Sequence, residues 1–430
     1  MTGGRPQIVR LTASKGVVNT ALRWIPFFLP TLVVAYNTTT TTLTTILGVG
    51  EMAGLVVLFA GRHLDRGHER RFMTASMVAV AVSATIALSG SVELFALSFL
   101  VLVLAVSLFT VSGHTYLSRR VPFAKRGRAI GLFEISWASA LLIGAPIIAV
   151  LIELFGWRGP FVAIAIASAA MAILISRPGD TSVPTDDATQ PGTPARLGQQ
   201  AWVLVAASAA IATAGLTTLV IAGTWLDDRL GVSTGGIGLV AMAFGAAELA
   251  ASLGSAAFAD RAGKLRSTRL ALATVLVGLA LMFQAGSSLL IGASGLFVFF
   301  LGFEYAIVTS FSIVSESMPT ARGRVLAVNN SVGTLARGMG TVSAGLLYSE
   351  FGIRGPASVS VAAALLAIVL LTIGGRSDVA EADRAVAGPD EPHVRRVRWE
   401  RWRRVGSRHG HQVCERDDCR GSQRDRQSQS

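Results

Sequence analysis

Long apolar segments recur along most of the chain and are separated by short polar or charged loops. A helix needs ~20 mostly apolar residues to cross the ~30 Å hydrocarbon core of a bilayer. The segments lack the period-two alternation of a membrane barrel, so they predict an all-α membrane protein with twelve transmembrane helices. We call them spans 1 to 12, at residues 12–34, 39–61, 72–89, 94–117, 128–152, 159–176, 201–224, 235–257, 269–287, 289–311, 324–347 and 356–374.

The composition agrees with this pattern and excludes other classes of protein. Hydrophobic residues make up 51% of the chain and charged residues 15%, whereas an ordinary soluble domain has about 25% charged residues. The mean hydropathy is +0.55. For most of the length, these values exclude a disordered chain, a nucleic-acid-binding domain and a soluble enzyme. The lipid bilayer is therefore the expected partner, and nucleic acid is not.

The basic residues predict how the chain is oriented in the membrane. The net charge is +12. When each loop is counted with the first residue of the next span, the loops after even-numbered spans carry 17 Lys and Arg, and the loops after odd-numbered spans carry three. Cytoplasmic loops are enriched in Lys and Arg. We therefore expect a multi-pass protein of the plasma (inner) membrane with both termini in the cytoplasm.

The chain contains an internal repeat. Arg-Gly-Arg at 126–128 recurs at 322–324, and Phe-Gly at 155–156 recurs at 351–352, both at an offset of 196 residues. Asp-Arg at 65–66 recurs at 260–261, at an offset of 195. Each copy falls in the matching loop, which predicts two parallel six-helix repeats. The expected units are a first half (1–176), a cytoplasmic linker (177–200), a second half (201–375) and a basic, disordered cytoplasmic tail (376–430).

The loop between spans 2 and 3 carries a recognisable motif. Residues 61–71 read GRHLDRGHERR, and residues 259–264 read ADRAGK as a weaker second copy. These segments and the repeat resemble the major facilitator superfamily of secondary transporters over roughly residues 12–374. The resemblance implies the major facilitator fold and a gate in which an Asp carboxylate pairs with Arg or accepts from a helix N-terminus. The gating residues it implies are Gly61, Asp65, Arg66, Gly67, Arg70, Asp260, Arg261 and Gly263.

The resemblance also implies a function. A superfamily member moves a small-molecule solute by alternating access around a site between its halves. The chain departs in two ways from superfamily members that exchange drugs for protons, which weakens a drug-exporter interpretation. Span 4 has no Arg, which such exporters usually carry there, and span 5 has only Gly144-Ala145-Pro146 of their Gly-Pro-rich motif. Proton-driven efflux of lipophilic or cationic compounds stays an alternative. A non-transporting sensor on the same fold is a second alternative.

Ionisable residues within the spans are the candidate functional groups, because burying a charge in a membrane is costly. We expect Arg23, Asn19 and Arg337 to bind an anionic group of the substrate. We expect Glu51, Glu304 or Glu248 to carry a proton. The ionisable residues that fall well inside the spans are Arg23, Glu51, Glu134, Glu248, Glu304 and Arg337.

Several of these positions have a second interpretation. Lys15, Asn19 and Arg23 are four residues apart and share one helix face, which either lines a cavity or leaves Arg23 as an interfacial anchor. Pro26 and Pro30 predict a kinked or interrupted helix beside them. Glu51 either binds a proton or forms a static pair with Arg23.

For other polar groups we expect mostly structural roles. Glu134, equivalent to Asn330 in the repeat, suits packing or gating better than substrate contact. His114, near the end of span 4, is either a cavity residue or, as we prefer, an interfacial one. Glu248 and Glu304 are each candidate partners for Arg337.

Cofactor and enzyme chemistry are not expected. The chain has no Gly-x-x-x-x-Gly-Lys-Ser/Thr loop and no Ser-His-Asp or metal constellation in its core. In the tail, the spacing of two His and two Cys matches no common zinc site: His409, His411, Cys414 and Cys419.

Overall fold

The predicted spans are helices in the computed structural model of the chain, which describes residues 4–56, 68–121, 123–176, 197–286, 288–318 and 321–387. We number these helices α1 to α15 in chain order. Their bounds are Gly4–Arg23, Leu29–Ala35, Thr40–Ala53, Glu69–Ala87, Val92–Arg120, Phe123–Ser139, Ala145–Phe155, Arg158–Ser176, Gln199–Leu219, Ala222–Leu230, Thr234–Ala262, Lys264–Gln284, Leu289–Glu316, Arg322–Phe351 and Arg354–Ala387.

Each span corresponds to one or two of these helices. Span 1 is α1 and α2, span 5 is α6 and α7, and span 7 is α9 and α10. Within the described ranges, eight helices are long and apolar enough to cross a membrane. Spans 1, 2, 3 and 11 are also helical, but their described parts are shorter, interrupted or more polar. The prediction of an all-α membrane protein is confirmed.

Helix ends follow from local sequence. A Ser or Thr precedes four helices that begin after odd-numbered spans, and its side-chain oxygen accepts a hydrogen bond from a backbone N–H of the first turn. These caps are Thr39 to Thr42 N, Ser91 to Leu94 N, Ser233 to Gly236 N and Ser288 to Ile291 N. The repeated Phe-Gly segments end spans 5 and 11. Gly156 and Gly352 have φ of 67° and 59° there, a conformation that favours glycine.

Span 1 is interrupted where the prolines predicted it. Helix α1 ends at Arg23, residues 24–28 form turns that include Pro26, and α2 begins at Leu29 with Pro30 in its first turn. Proline lacks the backbone N–H that a helix interior needs. The break leaves Arg23 at the end of α1, inside the protein.

The division of the chain into halves stays a prediction. Residues 1–377 form one compact unit, within which spans 1, 2 and 5 pack against spans 7, 8 and 11. The linker residues 177–196 and the tail from 388 lie outside the described residues.

Spans 2 and 11 meet closely. We call the side of the loops after odd-numbered spans the odd face, and the opposite side the even face. Near the odd face, Thr41 Oγ1 donates a hydrogen bond to the Gly345 carbonyl at 3.1 Å. A Cβ built on Gly48 would lie 2.5 Å from the Gly338 carbonyl oxygen. Glycine therefore allows the two backbones to touch.

Other spans make similar contacts between the halves. A Cβ on Gly238 of span 8 would lie 2.6 Å from Ala149 Cβ of span 5, and one on Gly223 of span 7 would lie 1.9 Å from the Phe27 carbonyl oxygen of span 1. All these contacts lie toward the odd face. By contrast, a Cβ on Gly323, near the even face, would have no described atom within 4 Å. The halves are closed against each other at the odd face.

This closure can be tested at Gly48. We expect Gly48→Ala to push span 2 away from span 11, because the added methyl group meets backbone rather than a flexible side chain. Thr44, fully buried beside Gly345, provides the reporter position. In a Thr44→Cys background with Cys414 and Cys419 changed to Ser, a membrane-impermeant maleimide should react severalfold faster in Gly48→Ala. Gly131→Ala is the matched control, since its Cβ has no described atom within 4 Å, and equal rates in both variants would refute the closed interface.

Candidate functional site

The polar face of α1 lies along span 5. Lys15 Nζ is 2.5 Å from Glu134 Oε1, and Asn19 Nδ2 donates to Ser136 Oγ at 3.2 Å. One turn further, Arg23 Nη1 donates to the carbonyl oxygen of residue 137 at 2.6 Å. The predicted shared face is therefore present, and all three side chains are directed to one short segment of span 5. Arg23 lies in the protein interior, and a cavity-lining role for this face stays a prediction.

Arg23 also joins the two halves. Its Nη1 donates to Glu248 Oε2 of span 8 at 2.8 Å, and its guanidinium carbon is 4.3 Å from the centre of the Trp137 ring. The Arg23 side chain is 9% exposed and the Glu248 side chain 4%. An ion pair buried to this degree is sensitive to the loss of either partner. Arg23 thus holds spans 1, 5 and 8 together at one point.

A wide helical turn follows this contact in span 5. Residues Ala140–Gly144 form a single π turn between α6 and α7. Such turns occur often at functional sites. The turn packs against α1, where a Cβ on Gly144 would lie 2.5 Å from Thr20 Oγ1. Span 5 is therefore irregular where Arg23 holds it.

Glu304 is a second buried carboxylate next to this pair. It lies near the middle of α13 and is 6% exposed. It interacts electrostatically with Glu248 and with Arg23. Among the described residues, Glu304 has no hydrogen bond and no ion pair. Arg23 therefore bonds to one of the two carboxylates, Glu248, and acts on Glu304 only through its field.

A further ion pair joins the halves with the charges reversed, since its acidic residue lies in the first half and its basic residue in the second. Glu51 Oε2 of span 2 is 3.7 Å from Arg337 Nε of span 11, and Arg337 Nη2 donates to Thr334 Oγ1 at 3.0 Å. The two side chains are about one third exposed. No hydrogen bond to Glu51 Oε2 is made within the described residues. This pair is longer and more open than the pair of Arg23 and Glu248.

The two ion pairs differ from the pairs that the sequence suggested for Glu51 and Glu248. Glu51 pairs with Arg337 instead of Arg23, and Glu248 pairs with Arg23 instead of Arg337. In each pair, one partner comes from the first half and the other from the second. The roles assigned to these residues from the sequence stay predictions.

His114, for which the sequence favours an interfacial position, contacts Glu134 of span 5. Its Nε2 is 2.6 Å from Glu134 Oε1, the same oxygen that accepts a hydrogen bond from Lys15 Nζ. Its ring packs edge-on against Phe133. The sequence did not predict this contact. The position of His114 near the end of span 4 indicated an interfacial residue, and it gave no information about which side chains of span 5 lie beside it.

The gating motif is described only in part. Gly61, Asp65, Arg66 and Gly67 lie outside the described residues. Arg70 Nε donates to the Ile175 carbonyl at 2.7 Å and so ties span 3 to the end of span 6.

The second copy of the motif is fully described. Asp260 lies 3.0 Å from Lys264, which also pairs with Glu316 of span 10. Arg261 is exposed, and Gly263 links α11 to α12 with φ of 81°. Lys264 therefore connects spans 8 and 10 at the even face.

Comparison with known proteins assigns the family. A sequence model of the Major Facilitator Superfamily matches residues 16–341 and, in a second match, residues 204–409. The chain belongs to the major facilitator superfamily. It is thus a transporter of the major facilitator type, and its fold is the one that the sequence predicted.

Relatives of this major facilitator protein agree with the assignment. An uncharacterised MFS-type transporter, YwfA of Bacillus subtilis (strain 168), is 25% identical over 323 residues, which cover 70% of this chain and 75% of that protein. A bacterial homologue of the human lysosomal transporter Spinster, solved in an inward-facing and occupied conformation, matches with a TM-score of 0.71 at 14% identity, covering 87% and 97% of the two chains. A D-xylose–proton symporter matches with a TM-score of 0.67 at 15% identity, covering 85% and 97%. Both solved structures share the fold.

Proposed function

We propose that this protein is a proton-coupled secondary transporter in which Glu304 carries the proton. The observation that supports this proposal is the excess of one carboxylate among the buried and half-buried ionisable groups between the halves. These groups are the guanidinium groups of Arg23 and Arg337 and the carboxyl groups of Glu51, Glu248 and Glu304. When all are ionised, one negative charge is uncompensated, and one proton neutralises it.

Glu304 is the member of the set best suited to bind that proton. Within the described part of the chain, Glu248 and Glu51 each have an arginine partner, whereas Glu304 has only the more distant field of Arg23. A buried carboxylate without a bonded cation is strongly destabilising when charged. Proton release from Glu304 would place it in competition with Glu248 for Arg23, the residue that joins spans 1, 5 and 8. Through this competition, the loss of a proton from Glu304 would weaken the contact of Arg23 with Glu248 between the halves.

The substrate would bind between the halves, where alternating access exposes it to each side in turn. Closure at the odd face represents one of the two end states. We also propose that the even face is cytoplasmic, which the 17 Lys and Arg of its loops support against three at the odd face.

Two classes of solute remain candidates for the substrate. The first is a small organic or inorganic anion held by Arg337 with Asn19 and Arg23, supported by the long 3.7 Å contact that leaves Arg337 only loosely paired. The second is a lipophilic cation exchanged for the proton. The uncompensated carboxylate and the half-exposed Trp137 ring beside Arg23 support the second class.

Ligand-dependent thermal unfolding separates these classes. The detergent-purified protein is screened against small anions and lipophilic cations. A ligand that binds only the folded state stabilises it by ~2.7 kcal/mol at a hundredfold excess over its dissociation constant. Stabilisation by anions that is lost in Arg337→Gln supports the first class. Stabilisation by cations that is lost in Glu304→Gln supports the second, and binding without flux in proteoliposomes would indicate a non-transporting sensor.

A further inference from the structure

A second cluster of ionisable side chains lies in the first half, and the proposed role of Glu304 makes no use of it. Glu134 Oε1 is 2.5 Å from Lys15 Nζ of span 1 and 2.6 Å from His114 Nε2 of span 4. One carboxylate oxygen of span 5 thus holds a cation and an imidazole at once. We call Lys15, His114 and Glu134 the His–Glu–Lys cluster.

The cluster has a buried end and an accessible end. Lys15 is 1% exposed, and its ammonium nitrogen is 4.2 Å from the centre of the Phe133 ring. An ammonium group in such a position depends on its carboxylate partner. The His114 and Glu134 side chains are 41% and 44% exposed. The imidazole and the carboxylate are therefore open at the protein surface, while the lysine stays inside.

The internal repeat shows that the fold itself does not require these charges. The 196-residue offset relates Glu134 to Asn330, His114 to Ser310 and Lys15 to Ile211, and none of the three counterparts is ionisable. In the second half, Ser310 forms a neutral hydrogen bond with Ser208 at 3.2 Å. The same helix packing is thus achieved without a buried lysine or a histidine. The cluster is a feature of the first half that packing does not explain.

We propose that the His–Glu–Lys cluster is a second proton-binding site, separate from Glu304. Because Nε2 of His114 faces the carboxylate, the neutral ring carries its hydrogen there, and an incoming proton binds Nδ1. Imidazole is the side chain whose ordinary pKa lies near neutrality. The charged ring then shares Glu134 Oε1 with Lys15. A proton from the surrounding water thereby changes how firmly span 5 holds span 1, the helix that carries Arg23.

The other charges near span 4 are engaged elsewhere or lie toward the helix ends. Glu69 of α4 pairs with Arg119, and Glu51 of α3 pairs with Arg337. Within the described side chains, Glu134 is the titratable group that bonds to His114. Among the described side chains, the charged residues on span 4 and on the elements packed against it are Arg10, Lys15 and Arg23 on α1, Glu51 on α3, Glu69, Arg70 and Arg71 on α4, Glu93, Arg119 and Arg120 on α5 itself, and Glu134 on α6.

A double-mutant cycle measured at two pH values tests the proposal. The apparent melting temperature of the full-length protein is measured for the wild type, His114→Gln, Glu134→Gln and the double variant, near pH 5.5 and near pH 8, on either side of the ordinary imidazole pKa of ~6.5. The coupling between the two substitutions should be larger by about 2 °C or more at the lower pH. The reason is that protonation adds a positive charge to the ring, so the hydrogen bond to the carboxylate becomes an ion pair.

Asn19 and Ser136 supply the control, because they join spans 1 and 5, as Lys15 and Glu134 do, through a neutral hydrogen bond. The coupling of Asn19→Ala with Ser136→Ala should be equal at both pH values. Glu134→Gln leaves Lys15 unpaired and could fail to fold. In that case His114→Gln alone tests the proposal, because it should reduce the change in melting temperature between the two pH values. Equal coupling at both pH values, or an unaltered pH response in His114→Gln, would overturn the proposal whether or not Glu304 carries the transported proton.

Discussion

Replacing Arg23 with glutamine is expected to cost more stability than any other single substitution at the site. The change leaves the 4% exposed Glu248 carboxylate without its cation and removes the bond to span 5. Breaking a buried ion pair by removing one partner typically costs about 3–5 kcal/mol. The apparent melting temperature of detergent-purified Arg23→Gln should therefore fall sharply.

Two comparisons isolate the buried charge as the cause. Arg337→Gln removes a guanidinium from a pair that is about one third exposed and 3.7 Å long, so its loss should be clearly smaller. The double variant Arg23→Gln/Glu248→Gln should recover much of the stability, because it leaves no uncompensated charge. A fall in Arg23→Gln no larger than in Arg337→Gln would contradict the importance of the Arg23 pair.

Glu304→Gln is expected to separate solute movement from the proton gradient. With one proton coupled to each solute molecule, a gradient of one pH unit can sustain roughly tenfold accumulation, since both correspond to about 1.4 kcal/mol. Glutamine keeps the shape of Glu304 but carries no titrating proton. In proteoliposomes, a substrate identified by thermal stabilisation should then exchange across the membrane without accumulating.

Glu51→Gln is the control for this prediction, since Glu51 already pairs with Arg337 and should retain accumulation. Two results would remove Glu304 from the coupling scheme. One is tenfold accumulation that persists in Glu304→Gln. The other is loss of accumulation in Glu51→Gln alone.

The sequence was informative wherever the signal was local. Hydropathy located the spans, and the spacing of Lys15, Asn19 and Arg23 predicted a shared face that the structure contains. Pro26 and Pro30 predicted the break in span 1. Each of these features depends on residues within a few helical turns of one another, so a short continuous segment of the sequence is enough to predict it.

The partners of these residues could not be predicted in the same way. Arg23 and Glu248 are 225 residues apart, and their pairing depends on how spans 1, 5 and 8 pack. Charge alone allowed Arg23 to pair with Glu51 as readily as with Glu248. The contact of His114 with Glu134 and the π turn in span 5 also arise from packing between helices. Hydrophobic pattern and propensity do not encode such contacts.

The most direct test of the central claim is a count of protons exchanged on substrate binding. The stabilising ligand is added to weakly buffered, detergent-purified protein, and a pH-indicator dye reports protons released or taken up per protein molecule. We predict about one proton for the wild type, as the single uncompensated carboxylate requires, the same for Glu51→Gln, and none for Glu304→Gln. No proton exchange in the wild type, or unchanged exchange in Glu304→Gln, would contradict proton coupling through Glu304.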